Sequence, residues 1–385
     1  MIFYYDAFNS DGNPIPNLSN AEQSEKTSPY VTQLRLLRML NRAGIDYNIS
    51  TIGDTQFGYY PIGIGWFDLK LDYISLISEG AKRLLKYGRI KLLFYYHEGD
   101  NPTTIKTHID SLCAKHHLDE DCYIFVSANT QAKDLDRFVY FGDHECFFAY
   151  INRNQLAITP TAKKLVRNFT ALVRIPKDWR ALIMSQLWKR GILDNSIWSF
   201  NTLGEDFSLN QKNNPIKASK FLNGVARLTD FVNNHTPKEA DVLSEVEQND
   251  HTLINSELYT QSYCNIVLET MYEVDRSSGI FITEKTWKCI KYGQPFVVAG
   301  PAGTIEHLRQ LGYNVYDDGI DHSYDAESDC TERAKLLLNE IDRLNTTVNI
   351  DWINKLNLAR VHNIRLFKSR YNTALFNLIT EIKQL

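Results

Sequence analysis

No stretch of this sequence reaches the roughly 18 consecutive apolar residues that a helical membrane span needs, so no membrane partner is expected. Met1 leads straight into Ile2-Phe3-Tyr4-Tyr5, an apolar run too short for a signal-peptide core and without a basic lead-in. Cysteine is sparse. The six residues Cys113, Cys122, Cys146, Cys264, Cys289 and Cys330 include no CxxC pair and no tight Cys/His cluster, which speaks against a zinc site and against a small disulfide framework. A reducing cytoplasm is the compartment that this usage suits. A strong charge of either sign is lacking too: a net charge of -4 and a pI near 6.2 give no global attraction to nucleic acid or to an anionic membrane, and only a local patch could supply one. No internal repeat or low-complexity tract interrupts the chain.

What remains is the composition of a folded globular protein, 43% hydrophobic and 23% charged. A chain of 385 residues exceeds what one core normally supports, so two domains are expected. Apolar strands at Ile2 to Tyr5, Tyr47 to Ile52, Ile90 to Tyr96 and Cys122 to Ser127 alternate with helical patterns at Tyr30 to Ala43, Leu71 to Tyr87 and Ile105 to His116. That alternation argues for a parallel, doubly wound sheet. A polar loop from Asn9 to Thr27 follows the first strand, where ligand-binding segments sit in such folds, or it is a surface excursion. The stretch from Phe57 to Trp66, rich in glycine and aromatics, reads as a loop that offers a face to a sugar or base, or packs between domains. Asp119-Glu120-Asp121 and Asp134-Leu135-Asp136 precede strands instead of following them, so they read as solvated loop charge and no metal site is expected.

A polar segment near 152–164 reads as the linker. Beyond it, strands are expected at Phe169 to Arg174, Asn265 to Glu269 and Tyr313 to Tyr316, and an amphipathic helix at Trp179 to Arg190. Residues 161–220 hold 11 Lys/Arg against 4 Asp/Glu, which fits a local anion site, or in part helix-face solubility. The segments 213–234 and 238–250 read as loop-like and as an exposed acidic stretch. Helical patterns close the sequence from Glu332 to Leu344 and from Trp352 to Ile382.

The chemistry concentrates in Phe281-Ile282-Thr283-Glu284-Lys285-Thr286-Trp287-Lys288 and in Gly293-Gln294-Pro295-Phe296-Val297-Val298-Ala299-Gly300. Thr283 is a natural N-cap, Trp287, Ile290 and Tyr292 run at helical spacing until Gly293, and Pro295 to Ala299 reads as a strand buried on both faces. At such a helix start Thr283 and the free N–H groups offer donors to an anion, Lys285 a mobile positive charge, and Glu284 an acceptor pair for a vicinal diol. A capped surface helix with an ordinary Glu-Lys pair fits the spacing equally well.

These residues resemble the donor-binding motif of GT-B glycosyltransferases, most closely the fucosyltransferase-like branch. Phe281, Thr283, Glu284, Lys285, Gly293, Pro295, Val297, Val298 and Gly300 match it over about a twentieth of the chain. Trp287-Lys288 departs from the pair usual in cellular fucosyltransferases and is nearer to transferase-like proteins of bacterial viruses, so fucose is not implied. The resemblance implies two Rossmann-like domains facing a cleft: an acceptor domain over 1–160, a donor domain over 165–350, and a helix over 351–385 that crosses back or serves as a homodimer face. It puts the donor ribose on Glu284 and the diphosphate on Lys285, and it makes Arg174, Lys177 and Arg180 phosphate-contacting positions, with Lys177 departing from a commoner Arg. The implied activity is transfer of a sugar from a UDP- or GDP-sugar to an acceptor hydroxyl, inverting, without a metal or other cofactor, in the cytoplasm of a host cell if the source is viral. The acceptor would be a hydroxymethylated base of phage DNA or a glycan. An inverting transferase needs a base, and the first domain's His97-Glu98-Gly99-Asp100 follows a central strand, which makes Glu98 the first candidate, with Asp100 and His97 behind it. A plain turn with solvated carboxylates is the other reading of that segment. The competing class is a non-catalytic nucleotide- or sugar-binding protein that retains the fold. A metal-dependent GT-A enzyme is disfavoured by the misplaced Asp-x-Asp pairs.

Overall fold

The computed structural model describes residues 1–15, 17, 32–53, 56–151, 165–174, 177–200, 256–273 and 276–385. The expected linker at 152–164, most of the loop at 9–27 and the segments at 213–234 and 238–250 lie outside them. The chain divides into two compact units, Met1–Asn152 with Ser369–Leu385, and Arg153–Lys368. Each contains a parallel sheet with helices, so the protein is mixed α/β.

In the first unit the order is β1 (Ile2–Tyr5), a hairpin of β2 (Ala7–Phe8) and β3 (Pro14–Ile15), α1 (Thr32–Ala43), β4 (Asn48–Thr51), β5 (Gly58–Ile64), α2 (Glu79–Lys86), β6 (Ile90–Tyr96), α3 (Pro102–Lys115), β7 (Tyr123–Ser127), β8 (Phe138–Tyr140) and α4 (Asp143–Ile151). The sheet runs β4-β1-β5-β6-β7-β8 with every pairing parallel. From β1 the chain first builds outward to β4, then returns and builds the other way through β5, so its direction reverses between β1 and β5. The twofold period of the strands divides their residues between two cores. Tyr4, Tyr123 and Phe125 join α2 and α3 residues such as Leu85 and Ile109 in one. Phe3, Tyr5, Ile124 and Val126 join Leu37 and Leu40 of α1, Phe147 of α4, and Tyr371, Leu375 and Leu378 in the other. Phe125 and Phe138 stack with centroids 4.9 Å apart, a contact worth about 1 kcal/mol beyond its buried area.

The glycine-aromatic stretch at 57–66 is not a loop: most of it is β5, a strand buried nearly throughout. Gly58 makes this possible, because a Cβ there would lie 2.6 Å from Cε2 of Tyr4 and 2.8 Å from the carbonyl oxygen of Ile2. The helix expected from Leu71 starts only at Glu79. Upstream, Asp72 takes both the amide (2.9 Å) and, through its carbonyl, the hydroxyl (2.8 Å) of Ser75, a local turn that competes with helix.

In the second unit come β9 (Arg167–Val173), α5 (Asp178–Lys189), β10 (Ser196–Phe200), α6 (Ser256–Thr260), β11 (Ser262–Leu268), α7 (Glu284–Tyr292), β12 (Phe296–Ala299), α8 (Thr304–Gln310), α9 (Cys330–Thr347), α10 (Ile350–Lys355) and α11 (Asn357–Gln384). Among the described residues the sheet is β10-β9-β11-β12, all parallel, and the chain direction reverses between β9 and β11. Tyr313 to Tyr316, expected as a strand, is not one. Asn363 of α11 binds the amide (2.8 Å) and carbonyl (2.7 Å) of Asn314 with its side chain, and Tyr316 has φ 71°, so at Asn314 the backbone pairs with a side chain instead of a ladder. The closing helical pattern breaks at Leu356 into α10 and α11. Residues of α11 up to Lys368 belong to the second unit and those from Ser369 to the first.

Replacing Gly58 by alanine forces the new methyl against Tyr4 and the β1 backbone, and is expected to destabilise the protein by about 2 kcal/mol. Urea unfolding of G58A would check this; an unchanged midpoint would mean that the close approach of β1 and β5 is not needed.

Candidate functional site

In open parallel α/β sheets ligands bind beyond the carboxyl ends of the strands, at the place where strand order reverses. In the second unit that place is the edge of β9 and β11, and the two strands end level, with Asn265 paired to Thr170. Glu269 follows β11 directly and is fully buried. Its carboxylate accepts the hydroxyls of Thr283 and Thr286, each at 2.6 Å, and the amides of Thr270 (3.2 Å) and Thr283 (3.3 Å). A buried carboxylate is tolerated only when its lone pairs are filled in this way. Three of those donors belong to the first turn of α7 or its cap, so Glu269 fixes where that helix begins.

Thr283 occupies the N-cap position with extended backbone, but its side chain does not cap the helix; its hydroxyl and its amide are both turned to Glu269. Thr283 therefore positions the helix, in place of the expected direct donation to an anion. Glu284 and Lys285 stand next to it, half-buried, with the ammonium 3.2 Å from Oε1 of Glu284, 3.0 Å from Oγ1 of Thr283 and 3.2 Å from Oγ1 of Thr270. At its far end α7 stops at Gly293, whose φ of 57° is left-handed and whose missing Cβ leaves room for Ile364, 2.8 Å from where that atom would be.

The basic segment after β9 meets the same edge. Arg180, in the first turn of α5, is buried and donates to the carbonyl of Glu269 at 2.6 Å, while Lys177 donates to the carbonyl of Thr270 at 2.8 Å. Burial pulls the Arg180 guanidinium down to about 10, against the pull of the Glu269 and Glu284 carboxylates and with the Arg174 charge adding to the fall. Arg174 itself is exposed. All six residues expected to hold a donor thus gather at one edge, but with divided roles: Thr283, Lys177 and Arg180 hold the Glu269–Thr270 turn and the helix start, whereas Glu284, Lys285 and Arg174 present charge. The loop from Asp317 to Asp325 goes elsewhere. It lines an open pocket with Arg309, Arg343 and Trp352 that includes none of these six, and Asp325 receives the first amides of α8, from Ile305 (3.0 Å) and Glu306 (3.1 Å).

In the first unit the reversal lies between β1 and β5, and the carboxylate there is Asp6, immediately after β1. It accepts the hydroxyl of Tyr60 and, at 2.7 Å, that of Ser78, the N-cap of α2. Sequence reasoning marked the end of this strand but not Asp6 as a site residue; the available signal was an acidic residue directly after an apolar first strand. The candidates Glu98, Asp100 and His97 follow β6, one strand further out. His97 Nε2 lies 3.5 Å from Oε1 of Glu98, the His97 and His144 rings are 5.9 Å apart, and Asp100 accepts the hydroxyl of Tyr96. Among the described residues no three His, Cys, Asp or Glu side chains gather as a metal-binding set, and no helix is long and apolar enough to cross a membrane.

No protein-family model matches this chain, and no curated protein matches it.

Substituting Glu269 by glutamine turns one acceptor oxygen into a donor facing a threonine hydroxyl, and an expected loss of about 2 kcal/mol follows from the unsatisfied buried groups. Chemical denaturation of E269Q is the check, and a loss below about 0.5 kcal/mol would mean that the carboxylate does not hold the helix start.

Proposed function

We propose that this protein is a glycosyltransferase of the GT-B class, in which one Rossmann-like domain holds a nucleotide-sugar and the other an acceptor. The observation that carries the reading is the gathering of Glu284, Lys285 and Arg174 at the point of strand reversal in the second sheet, around a helix start fixed by a buried carboxylate. A nucleotide diphosphate asks for cations and a helix N-terminus, and its ribose asks for a carboxylate that accepts from two neighbouring hydroxyls. The resemblance of the 281–300 segment to the donor motif assigns the same roles to Glu284 and Lys285.

On this reading Lys285 and Arg174 neutralise the charge that builds on the leaving diphosphate, work that preorganised protein cations can do. A carboxylate of the first unit takes the acceptor's proton as the hydroxyl attacks the anomeric carbon from the opposite side, with inversion. Glu98 remains a candidate, and Asp6 joins it because of its place at the strand reversal. The acceptor class is a hydroxymethylated DNA base or a glycan hydroxyl. A non-catalytic binder of nucleotide or sugar is the second reading, favoured by the tyrosine hydroxyls that occupy Asp6 and Asp100, since a carboxylate oxygen already engaged by a tyrosine is not open to an acceptor hydroxyl.

The deciding experiment is a thermal-shift series with UDP-, GDP-, CMP- and ADP-sugars, with and without Mg²⁺, because a ligand that binds the folded state raises the melting temperature. One nucleotide class should stabilise the protein. No response to any of them would overturn the donor site.

With that nucleotide in hand, Glu284→Ala should weaken binding about ten-fold, the worth of a charged hydrogen bond, while leaving the melting temperature of the free protein near that of the wild type. Titration calorimetry is the measurement, and unaltered affinity would remove Glu284 from the site. Glu98→Gln and Asp6→Asn separate the two base candidates: the true base should lose transfer by at least about 100-fold and keep donor affinity, full turnover by both variants would remove both as base, and donor binding without any transfer by the wild type would leave the binding-protein reading.

A further inference from the structure

Cys113 and Cys122 are nine residues apart and carry no recognisable thiol motif, yet the fold brings their sulfurs to 3.6 Å. Cys113 sits in the last turn of α3. The chain then reverses through His117, whose φ of 53° is left-handed, with Leu118 donating back to the carbonyl of Cys113 at 2.9 Å. It returns through a single tight turn, Glu120–Cys122, to enter β7. The Cys113 side chain is fully buried and Cys122 is 7% exposed, so the pair lies just under the surface between the end of α3 and the start of β7.

A cation stands near the pair: Arg137 lies 3.2 Å from Asp110 of α3 and 4.8 Å above the ring of Tyr123, the residue after Cys122, and its charge favours a Cys113 thiolate while the Asp110 and Glu120 carboxylates oppose one. The hydrogen bond between the two sulfurs draws the Cys113 thiol below its ordinary range, against burial and the Asp110 charge, and the same bond together with burial pushes Cys122 up. One sulfur is thus the ready nucleophile and the other the proton holder, an arrangement in which the first is oxidised and the second resolves it. Among the described residues the other four thiols have no sulfur partner within hydrogen-bonding distance, and burial raises the pKa of Cys146, Cys264, Cys289 and Cys330.

We propose that Cys113 and Cys122 form an oxidisable dithiol site that hydrogen peroxide converts into an intrachain disulfide linking the end of α3 to the start of β7. In the first step a Cys113 thiolate attacks one peroxide oxygen, the O–O bond breaks, a sulfenic acid forms, and the departing hydroxide takes up the proton that Cys113 released and leaves as water. In the second, the Cys122 sulfur displaces hydroxide from that sulfenic sulfur, the S–S bond forms, and the hydroxide leaves as water with the Cys122 proton. Two thiols lose two electrons and two protons, and one peroxide becomes two waters. A dithiol reductant reverses the change. The proposal does not depend on the transferase reading.

The test treats the full-length protein with hydrogen peroxide, quenches it, unfolds it in excess iodoacetamide and maps the peptides by mass spectrometry. The expected result is a chain lighter by two hydrogens, with Cys113 and Cys122 in one linked peptide pair, the other four cysteines alkylated, and full alkylation restored by dithiothreitol. Cys122→Ser should abolish the linked pair and leave Cys113 as a sulfenic acid trapped by dimedone. Full alkylation of both cysteines after peroxide, or a disulfide between any other pair, would overturn the assignment. So would an unresolved oxidised Cys113 in the wild type.

Discussion

A single carboxylate organises the second unit. Glu269 ends the central strand β11 in full burial, and a charge in that position is costly unless every lone pair is used. The structure spends two threonine hydroxyls and the local amides on it, and its backbone carbonyl receives the buried Arg180. Strand end, helix start and the entry to α5 are thereby locked to one another within a few ångströms. The charged side chains Glu284, Lys285 and Arg174 inherit their positions from that lock. An exposed loop would place them far less sharply.

The two units repeat one geometric idea with different chemistry. Each sheet reverses its building direction between its first strand and the strand that pairs on its other side, and each puts a carboxylate just past a strand end at that point, Asp6 in one and Glu269 in the other. Around Glu269 the surrounding charge is cationic. Around Asp6 the partners are neutral hydroxyls from Tyr60 and Ser78. A cationic edge suits an anionic ligand, and a hydroxyl-lined one suits a ligand that is itself rich in hydroxyls.

Much of this could be read before any coordinates. Strands such as Ile90–Tyr96 and Phe296–Ala299 are apolar without interruption, and a parallel sheet covered on both faces requires that. The α7 segment announced itself through Thr283 at one end and Gly293 at the other. At Leu71 the reading failed on a local turn; at Gly58 and at Tyr313 a long-range contact had overridden a local signal. Gly58 looked like loop chemistry, but the glycine is there because β1 approaches too closely for a side chain. Tyr313 to Tyr316 has the apolar character of a strand, but Asn363, 49 residues away, takes both backbone groups of Asn314. Thr283 was legible as a cap by position, whereas the turn of its hydroxyl toward Glu269 depends on a strand end that no local window contains. The proximity of Cys113 and Cys122 was hidden for a related reason: it depends on a left-handed residue, His117, that sequence gave no cause to expect.

The helix α11 has a consequence for how the protein is made. Its residues 369–385 fill one face of the first unit's sheet, where Tyr371, Leu375, Leu378 and Ile382 are buried beside Phe3, Tyr5 and Leu93. A ribosome releases the strands of that sheet long before it releases the residues that cover them. During synthesis the part of that face left open by α1 and α4 waits uncovered while the second unit is being made, a window in which premature association is a hazard.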